Sequence, residues 1–451
     1  MSFGDMRDNL DSALYLSGAE VQDSYAQDWS EAAAHLPEVV LRPRTIDDLS
    51  KMMTLATQTS QRIVTQGGRT GLAGGATPQQ SEWALSVERM TNIIELDPIG
   101  QTITVEAGTT LQAIQEAAAE QGLQFPLDLG ARGTATAGGI TATNAGGNQV
   151  IQYGVTRQLV LGMTAVLPDG TVIAQNNKLL KNNAGFDLKQ LLIGTEGVLG
   201  VIATITFRLF PKRDVVKTAI CAVQNFDEVT DLLSHANRTM TGLSSFEVLW
   251  DDYLAEITAV TGKAPLFDQN YPYIILLEVE AARDTGDVEA SLMAAVEQGI
   301  VKDAILAQND QQRASFWSYR DSIAELLADM APNVNFDIGI PISKMKDFTA
   351  DVTSALKAKF GAIRLVTFGH IGDGNLHLCC TTGKPQDQVP IEDLVFAKAT
   401  AIGGTITAEH GIGVLKKPWL KDCRTTQEIA LMKRLKAMLD PADILNKGRV
   451  I

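Results

Sequence analysis

Three of the five histidines in this chain, His370, His377 and His410, lie in one region of the sequence and are well suited to metal binding or proton transfer. His370 and His377 flank a turn predicted at Asp373-Gly374 between two apolar runs. If the loop consists of residues 372–375, His370 lies opposite His377 on one face of a hairpin, where opposed Cβ atoms are about 5 Å apart. Two imidazoles placed in this way could bind one metal ion.

Glu409, which directly precedes His410, offers a third ligand. Two histidines and a glutamate with an open fourth position are typical of a catalytic zinc site, and the same donors also suit non-haem iron(II). Adjacent residues on a strand point to opposite sides, so we expect only one of Glu409 and His410 to bind the ion. The other would lie free beside it.

Three glycine-rich segments come earlier in the chain, at Gln66–Ala76, Gly130–Gly154 and Gly194–Gly200. Glycine allows positive φ and close approach of the backbone, so successive N–H groups can form a nest that binds phosphate without a lysine. The first segment does not match a Walker A motif and lacks the G-x-G-x-x-G register. Three separate segments indicate a long ligand, such as the dinucleotide FAD, whereas a nicotinamide site normally needs one such turn.

The composition of the 451 residues limits the classes of partner. The length predicts about three domain-sized units, and a hydrophobic content of 45% predicts a globular chain. A net charge of −15 argues against nucleic acid or an anionic membrane as the main partner. Four cysteines without CxxC spacing favour a reducing compartment, so we expect a cytoplasmic protein. No secretory signal is visible, and no apolar run reaches the roughly 18 residues of a membrane span.

The predicted elements that would position these residues change character near residue 212. Before it, short strands alternate with helices and glycine-rich turns; after it, strands such as 215–223 and 273–279 alternate with longer helices. Further helices are predicted at 227–240, 285–298 and 426–439. The pattern predicts an α+β fold.

Three stretches of the glycine-rich segments and one further segment together carry a family resemblance: Gly67–Ala76, Thr143–Gly147, Gly194–Gly200 and Lys181–Leu188. The chain resembles, over about residues 37–450, the FAD-linked D-2-hydroxyacid dehydrogenases of the vanillyl-alcohol-oxidase-type flavoprotein superfamily. The resemblance implies a two-part FAD-binding domain of the vanillyl-alcohol-oxidase/PCMH type. It also implies a substrate domain with an antiparallel sheet covered by helices. The expected divisions are a helical lead-in (1–36), the FAD-binding domain (37–212), the substrate- and metal-binding domain (213–410) and a C-terminal segment completing the FAD domain (411–451).

FAD is expected to be bound non-covalently, because the chain has no histidine between His35 and His235 and no cysteine before Cys221. The FAD-binding residues expected from the glycine-rich segments and the resemblance are Gly67, Gly68, Arg69, Thr70, Gly71, Leu72, Gly74, Gly75, Pro126, Leu129, Gly138, Gly139, Thr143, Asn144, Gly146, Gly147, Tyr153, Gly154, Glu196, Gly197, Gly200, Val201, Ile202 and Asn446.

The resemblance also implies roles in a reaction site. His370, His377 and Glu409 match metal ligands, with zinc as the expected ion, and His410 matches the general base. Asn375 matches a substrate-binding residue, and Arg320 matches the arginine that binds the substrate carboxylate. The implied reaction oxidises a D-2-hydroxy acid to the 2-oxo acid: the base takes the hydroxyl proton, the hydride goes to flavin N5, and electrons pass to an electron-transfer flavoprotein, cytochrome or quinone. A homodimer is also implied.

Two positions depart from relatives that act on 2-hydroxyglutarate. Those relatives usually have a threonine and a lysine where this chain has Ala324 and Asn335. A second substrate carboxylate would be anchored more weakly, so a substrate like D-lactate or D-malate is favoured over D-2-hydroxyglutarate. Arg69 also stands where relatives often have a small residue.

Three other functions stay open on the sequence alone. An FAD-carrying subunit of a multi-subunit 2-hydroxyacid oxidase would bind flavin but depend on partners. An oxidase that uses oxygen directly would have the same motifs. A non-haem iron oxygenase would use the histidines and Glu409 but leaves the three glycine-rich segments unexplained.

Overall fold

The computed structural model describes residues 9–451, and the chain divides into two compact units. The first unit contains the described residues up to 147 together with 154–212 and 409–451; the second contains 148–153 and 213–408. Each unit combines helices with β-sheets. The α+β class predicted from the sequence is confirmed.

The described part of the lead-in differs from the helix expected there, and residues 1–8 lie outside the described residues. It forms single turns of 3₁₀-helix at Ser12–Leu14, Gly18–Glu20 and Asp23–Tyr25, and strand β1 at Tyr15–Ser17. β1 pairs antiparallel with β2, Val39–Leu41. The extended conformation therefore follows from a pairing partner more than twenty residues away, which local sequence does not reveal.

A four-stranded sheet leads into the first glycine-rich segment. Its order is β1-β2-β4-β3, where β3 is Ile63–Gln66 and β4 is Trp83–Ser86. β4 runs parallel to both β2 and β3, and the helix Ile46–Thr59 connects β2 to β3. Thr45 and Asp48 form a capping box that fixes the start of this helix. The glycine-rich segment begins where β3 ends, at the carboxyl edge of the sheet.

A five-stranded antiparallel sheet forms the second part of the first unit. The strands of the rest of this unit are β5 Ile93–Asp97, β6 Thr102–Glu106, β7 Leu123–Gln124, β8 Val160–Val166, β9 Val172–Gln175, β10 Val201–Arg208 and β11 Phe210–Pro211. The sheet has the order β5-β6-β10-β8-β9, and β7 pairs with β11. The central strands β8 and β10 are buried almost throughout, as their apolar sequences predict.

The C-terminal segment belongs to this first unit. The amide of Ile63 donates to the carbonyl of Ile444, and the amide of Asn446 donates to the carbonyl of Ile63, so the segment extends the edge of the first sheet. Lys436 is buried and donates to Asp440 at 2.5 Å. The other helices of the unit are Leu111–Glu120, Ala137–Thr143, Thr156–Leu159, Lys189–Leu192, the 3₁₀-turn Lys417–Trp419, Leu420–Cys423 and Thr426–Leu439.

The second unit contains a seven-stranded antiparallel sheet. Its strands are β12 Val215–Val223, β13 Leu243–Trp250, β14 Tyr273–Ala281, β15 Asp303–Leu306, β16 Val334–Gly339, β17 Arg364–His370 and β18 Asn375–Thr381. Their order is β15-β12-β14-β13-β17-β18-β16. The strand predicted at 215–223 forms with those bounds, as does the helix predicted at 426–439.

Helices of the second unit cover one face of this sheet. The helices Asp251–Thr261, Asp310–Asp321 and Ile323–Asp329 contribute, with side chains from β12, β13, β14, β17 and β18, to one buried apolar cluster. The remaining helices are Val150–Tyr153, Phe226–Thr239, Asp287–Glu297, Ile342–Phe360, the 3₁₀-turn Pro385–Asp387 and Gln388–Ala401. Within residues 9–451, none of the helices has both the length and the apolar character needed to cross a membrane.

Candidate active site

The hairpin that carries His370 and His377 has a different register from the predicted one. Phe368 lies opposite His377, so the loop is residues 371–374, and the prediction that His370 directly opposes His377 is wrong. The turn closes one residue earlier because Gly374 takes a positive φ of 85° and donates to the carbonyl of Ile371. His370 lies two residues along the strand from Phe368, the residue opposite His377, so the two histidines still share one face of the sheet. Their ring centroids are 5.2 Å apart.

A buried glutamate fixes His370. Glu247 on β13 lies opposite His370, is fully buried, and accepts a hydrogen bond from His370 Nδ1 at 2.5 Å. Burial raises the pKa of the Glu247 carboxyl, but His370 and Arg320 outweigh it, and the net pKa is lowered. The carboxylate is therefore ionised at neutral pH and holds the proton of His370 on Nδ1.

The same carboxylate holds Arg320. Arg320 projects from the helix Asp310–Asp321, and its Nε donates to Glu247 at 3.0 Å. Its Nη2 lies 3.2 Å from Nε2 of His370, and its guanidinium lies over the ring of Phe368 at 4.7 Å. The structure thus brings together two predicted site residues, Arg320 and His370, through one carboxylate that the sequence did not single out.

Asn375 lies on the same face of the sheet. It is 4% exposed, and extending the strand register places it opposite His370. Among the described residues, neither the oxygen nor the nitrogen of its side-chain amide has a hydrogen-bond partner. An unpaired buried amide is costly unless something binds it, so Asn375 is well placed to hold a polar ligand next to His370 and Arg320.

His377 is flanked by an aromatic ring and by a second buried carboxylate. Its ring stacks on Phe368 at 4.9 Å between centroids, and Asp337 lies opposite it on β16. Asp337 also accepts hydrogen bonds from the Thr407 hydroxyl at 3.1 Å and the Ala408 amide at 3.2 Å. Asp337 therefore fixes the last residues of the second unit.

Glu409 and His410 belong to the first unit. A Cβ at Gly146 would overlap the Glu409 carboxylate, so Glu409 packs directly on the second glycine-rich segment. The loop continues through Gly411 and Gly413, which both have positive φ. The structure therefore places Glu409 beside a predicted FAD-binding residue of its own unit.

The glycine-rich segments lie against one another within the first unit. A Cβ at Gly68 would overlap the backbone carbonyl of Thr134, and one at Gly67 would overlap the Thr136 hydroxyl. The amide of Gly138 donates to the carbonyl of Ala107 at 2.7 Å. The overlaps at Gly67 and Gly68 require glycine and let the backbones of the two segments approach closely, as expected for segments that form a cradle for an extended ligand. The backbone contacts fit the proposed dinucleotide, because they leave little room for side chains.

Several of the predicted FAD-binding residues have structural partners of their own. Asn446 accepts from the Thr65 amide at 2.8 Å and donates to the Glu196 carbonyl at 2.5 Å. The guanidinium of Arg69 lies 4.8 Å from the ring of Tyr25. The side-chain carboxylate of Glu196 accepts from the amides of Ile412 and Gly413.

Tyr153 is the one predicted FAD-binding residue that falls in the second unit. Its hydroxyl donates to Glu280 at 3.3 Å, and burial raises its pKa. Gln149, four residues earlier, donates to the same glutamate at 2.6 Å. These contacts explain why the short segment 148–153 packs with the second unit.

The predicted metal ligands fit a divalent ion only in part. His370 and His377 provide two nearby imidazoles, and a carboxylate on Nδ1 of His370 is the usual partner of a metal-binding histidine. Within residues 9–451, however, no three His, Cys, Asp or Glu side chains are grouped so that they could hold a metal ion. The donor types suit zinc, but Nε2 of His370, the ring nitrogen left for an ion, lies 3.2 Å from Nη2 of Arg320, and the third ligand stays a prediction.

Sequence reasoning missed Glu247 and Asp337. Each is the single acidic residue of its strand and lies between apolar neighbours, in Phe246-Glu247-Val248 and Phe336-Asp337-Ile338. Charged residues are almost never fully buried unless they are paired, so an acid in such a strand predicts a buried partner. Its identity depends on the strand order.

Two protein families match the sequence of this chain. A family described as FAD binding domain matches residues 37–175, and one described as FAD linked oxidases, C-terminal domain, matches residues 212–450, more than half of the chain. A D-2-hydroxyglutarate dehydrogenase of Xanthomonas citri pv. viticola is 36% identical over 439 residues, covering 95% of this chain and 92% of that protein. A mitochondrial Schizosaccharomyces pombe protein assigned as a D-lactate dehydrogenase is 33% identical, covering 94% and 83%.

Solved structures share the fold at low identity. A p-cresol methylhydroxylase with bound substrate aligns with a TM-score of 0.76 and 15% identity, covering 100% of this chain and 97% of that chain. A 4-ethylphenol oxidase from Gulosibacter chungangensis aligns with a TM-score of 0.76 and 15% identity, covering 99% and 96%. These likenesses concern the fold, which is the one that the sequence resemblance implied.

Proposed function

The chain belongs to the family of FAD-linked oxidases, and from this premise we propose that it oxidises a D-2-hydroxy acid to the 2-oxo acid. FAD is its cofactor, and we propose that FAD is bound non-covalently by the glycine-rich segments of the first unit. The relatives named as D-2-hydroxyglutarate and D-lactate dehydrogenases support the substrate class.

The observation that carries the proposal is the cluster of Arg320, His370 and Asn375 on one face of the seven-stranded sheet. Arg320 offers a guanidinium already oriented by Glu247. Asn375 offers an amide whose donor and acceptor have no hydrogen-bond partner within residues 9–451. A 2-hydroxy acid has a carboxylate and a neighbouring hydroxyl, which are the groups that such a cluster would bind.

Oxidation of the substrate requires loss of the hydroxyl proton and of the Cα hydride. We propose that a ring nitrogen of His410 takes the proton, since imidazole suits this task near neutral pH. Arg320 would hold the carboxylate and Asn375 the hydroxyl or carboxylate oxygen. FAD, when bound, supplies the hydride acceptor.

We also propose a divalent metal, with zinc as the expected ion, held by His370, His377 and Glu409. Such an ion would polarise the substrate hydroxyl. The imidazole pair and the Glu247 carboxylate on His370 support this proposal. Its test is the metal content of the purified protein.

Within the substrate class we propose a preference for D-lactate-like or D-malate-like acids over D-2-hydroxyglutarate. Ala324 is exposed and carries no polar group, and the amide of Asn335 donates to Asn333 at 2.8 Å. Neither position offers a cation for a second carboxylate. Some of the relatives are named as D-2-hydroxyglutarate dehydrogenases, so the substrate titration described below includes D-2-hydroxyglutarate.

The electron acceptor, the cellular location and the oligomeric state follow only from the resemblance and the composition. We propose an electron-transfer flavoprotein, cytochrome or quinone as acceptor, a homodimer, and a cytoplasmic location, although several of the relatives are named as mitochondrial.

The experiment is an anaerobic titration of the purified protein in the visible range. D- and L-lactate, D- and L-malate, glycolate and D-2-hydroxyglutarate are added one at a time, with and without a chelator. We expect bleaching of the flavin band by a D-acid and loss of that bleaching with the chelator. A flavin band that none of the acids bleaches would favour the partner-dependent subunit, and oxygen consumption in air would favour an oxidase.

A further inference from the structure

Glu196 lies at the junction of three segments of the first unit. Its carboxylate accepts the amide of Ile412 at 2.7 Å on Oε1 and the amide of Gly413 at 2.8 Å on Oε2. A Cβ added at Gly75 would lie 3.1 Å from Oε2 of Glu196. The backbone carbonyl of Glu196 accepts a hydrogen bond from the side-chain amide of Asn446 at 2.5 Å. Both carboxylate oxygens are therefore engaged by the loop that follows His410.

The backbone at Glu196 is strained to make this contact. Its φ is +52°, a region that a residue with a side chain rarely adopts, and it precedes Gly197, whose φ is +75°. A Cβ at Gly411 would lie 2.8 Å from Oε1 of Glu196, so the absence of a side chain there is also required. Strain of this kind persists where the surrounding structure over-determines it, which is common at functional sites.

We propose that Glu196 is a positioning residue for the loop Glu409–Gly413 and, through that loop, for His410. The expected effect on the reaction rate rests on the proposed function, in which His410 is the base. The expected effect on the position of the loop does not. The carboxylate fixes two consecutive N–H groups that begin two residues after His410. It thereby fixes the backbone that directly follows His410, the proposed base. A displacement of the base by about 1 Å can slow a reaction about 100-fold.

The test is the substitution Glu196→Gln in the FAD-loaded full chain. A glutamine can accept only one of the two N–H groups and would turn its own NH₂ toward the other. We expect faster hydrogen–deuterium exchange at Ile412 and Gly413. The resemblance placed Glu196 among the FAD-binding residues, but both of its carboxylate oxygens accept these two amides, so we expect the FAD content to be unchanged. We expect anaerobic flavin reduction at saturating D-acid to slow about 100-fold while the KM changes less than about threefold, because Arg320 and Asn375 are untouched.

A matched control is Glu428→Gln. Glu428 also accepts a backbone amide, that of Thr425 at 2.8 Å, in the same C-terminal segment, but it is exposed. We expect wild-type reduction rates for this variant. If Glu196→Gln does not fold, Glu196→Asp keeps the carboxyl group and shortens its reach. We then expect faster exchange together with a smaller drop in rate, of about tenfold.

Two results would overturn the proposal. Loss of FAD with unchanged exchange at Ile412 and Gly413 would make Glu196 a cofactor residue instead. Faster exchange with an unchanged reduction rate would remove its link to His410. Failure of the proposed function is distinguishable from both, because it would leave the wild-type flavin unreduced by every acid while the exchange difference persists.

Discussion

Nδ1 of His370 lies 2.5 Å from Oε1 of Glu247, and the other oxygen of the same carboxylate lies 3.0 Å from Nε of Arg320. One buried charge thus orients both a proposed metal ligand and the proposed carboxylate-binding arginine. Because both partners depend on it, the loss of this charge should affect the binding of substrate more than the binding of FAD.

Glu247→Gln tests this relationship. We expect the KM for the D-acid to rise about 10- to 100-fold with the FAD content unchanged, because Arg320 and His370 lose their fixed orientation. Steady-state kinetics with an artificial electron acceptor measures this effect.

The control for that variant is Glu278→Gln. Glu278 is a buried carboxylate on the neighbouring strand, held by Nε and Nη2 of Arg313 at 2.8 and 3.0 Å, and Arg313 lies on the same helix as Arg320. Both substitutions should lower the free energy of unfolding, by about 3 kcal/mol. An equal rise in KM for both would mean that the helix as a whole is disturbed and that Glu247 has no special role.

How far the sequence predicted this site depends on the range of the interactions. The strand Val215–Val223 and the helix Thr426–Leu439 were predicted to their exact bounds, because alternation and capping are local signals. The contact of Glu247 with His370 joins residues 123 positions apart and requires β13 to lie next to β17. Strand order of this kind depends on packing of the whole sheet, which local sequence patterns do not specify.

The hairpin register shows the same limit on a smaller scale. Asp373-Gly374 was correctly predicted as a turn. The observed loop, residues 371–374, begins one residue before the predicted loop, and this difference depends on the positive φ of Gly374. That offset removes the direct opposition of His370 and His377 and keeps them on one face. The resemblance supplied the remaining site residues, and their roles stay predictions.

Asn375→Leu should separate stability from function. Since neither amide atom of Asn375 has a partner among the described residues, removing them is expected to raise the free energy of unfolding by about 1 kcal/mol. The KM for the D-acid should rise at least tenfold. Asn333→Leu is the control: its buried amide donates to the Leu327 carbonyl at 2.7 Å, so this variant should lose stability and keep its KM. Lower stability in Asn375→Leu would show that its amide has a structural partner.

His377→Ala tests the metal proposal directly. We expect the metal content, measured by elemental analysis, and the rate of flavin reduction to fall together. His235→Ala is a matched control, because His235 is a buried histidine of the same unit whose Nε2 lies 3.0 Å from the Ser291 carbonyl. It should lower the melting temperature and leave the metal content unchanged. Full activity in a metal-free preparation of the wild type would remove the metal from the reaction.

His410→Asn tests the general base. The FAD content should be unchanged, while flavin reduction by the D-acid should slow by about 10²- to 10⁴-fold, the usual contribution of acid–base catalysis. His35→Asn changes an exposed histidine of the same unit and should have no effect. Stopped-flow spectroscopy under anaerobic conditions measures both, and near-normal reduction in His410→Asn would assign the proton transfer to another group.

Asp252 gives the second unit a pH-dependent stability. Its carboxylate accepts the amides of Tyr253 at 2.6 Å and Thr367 at 3.0 Å, yet burial raises its pKa from 3.8 to about 6. The folded state therefore binds a proton more tightly than the unfolded state does. Well below pH 3.8 both states are protonated. As the pH rises from 3.8 to about 6 the unfolded state loses its proton first, and the free energy of unfolding falls.

Asp252→Asn should remove this fall. An asparagine keeps the acceptor oxygen for both amides and can turn its NH₂ toward the Thr367 hydroxyl, which lies 3.3 Å from the second carboxylate oxygen. The variant and the wild type should have similar stabilities near pH 4. Above pH 6 the variant should be more stable by about 1 to 2 kcal/mol, after allowance for partial exposure to solvent. Thermal unfolding from pH 4 to 8 measures the difference; a difference that stays constant across this range would mean that Asp252 has an ordinary pKa in the folded protein.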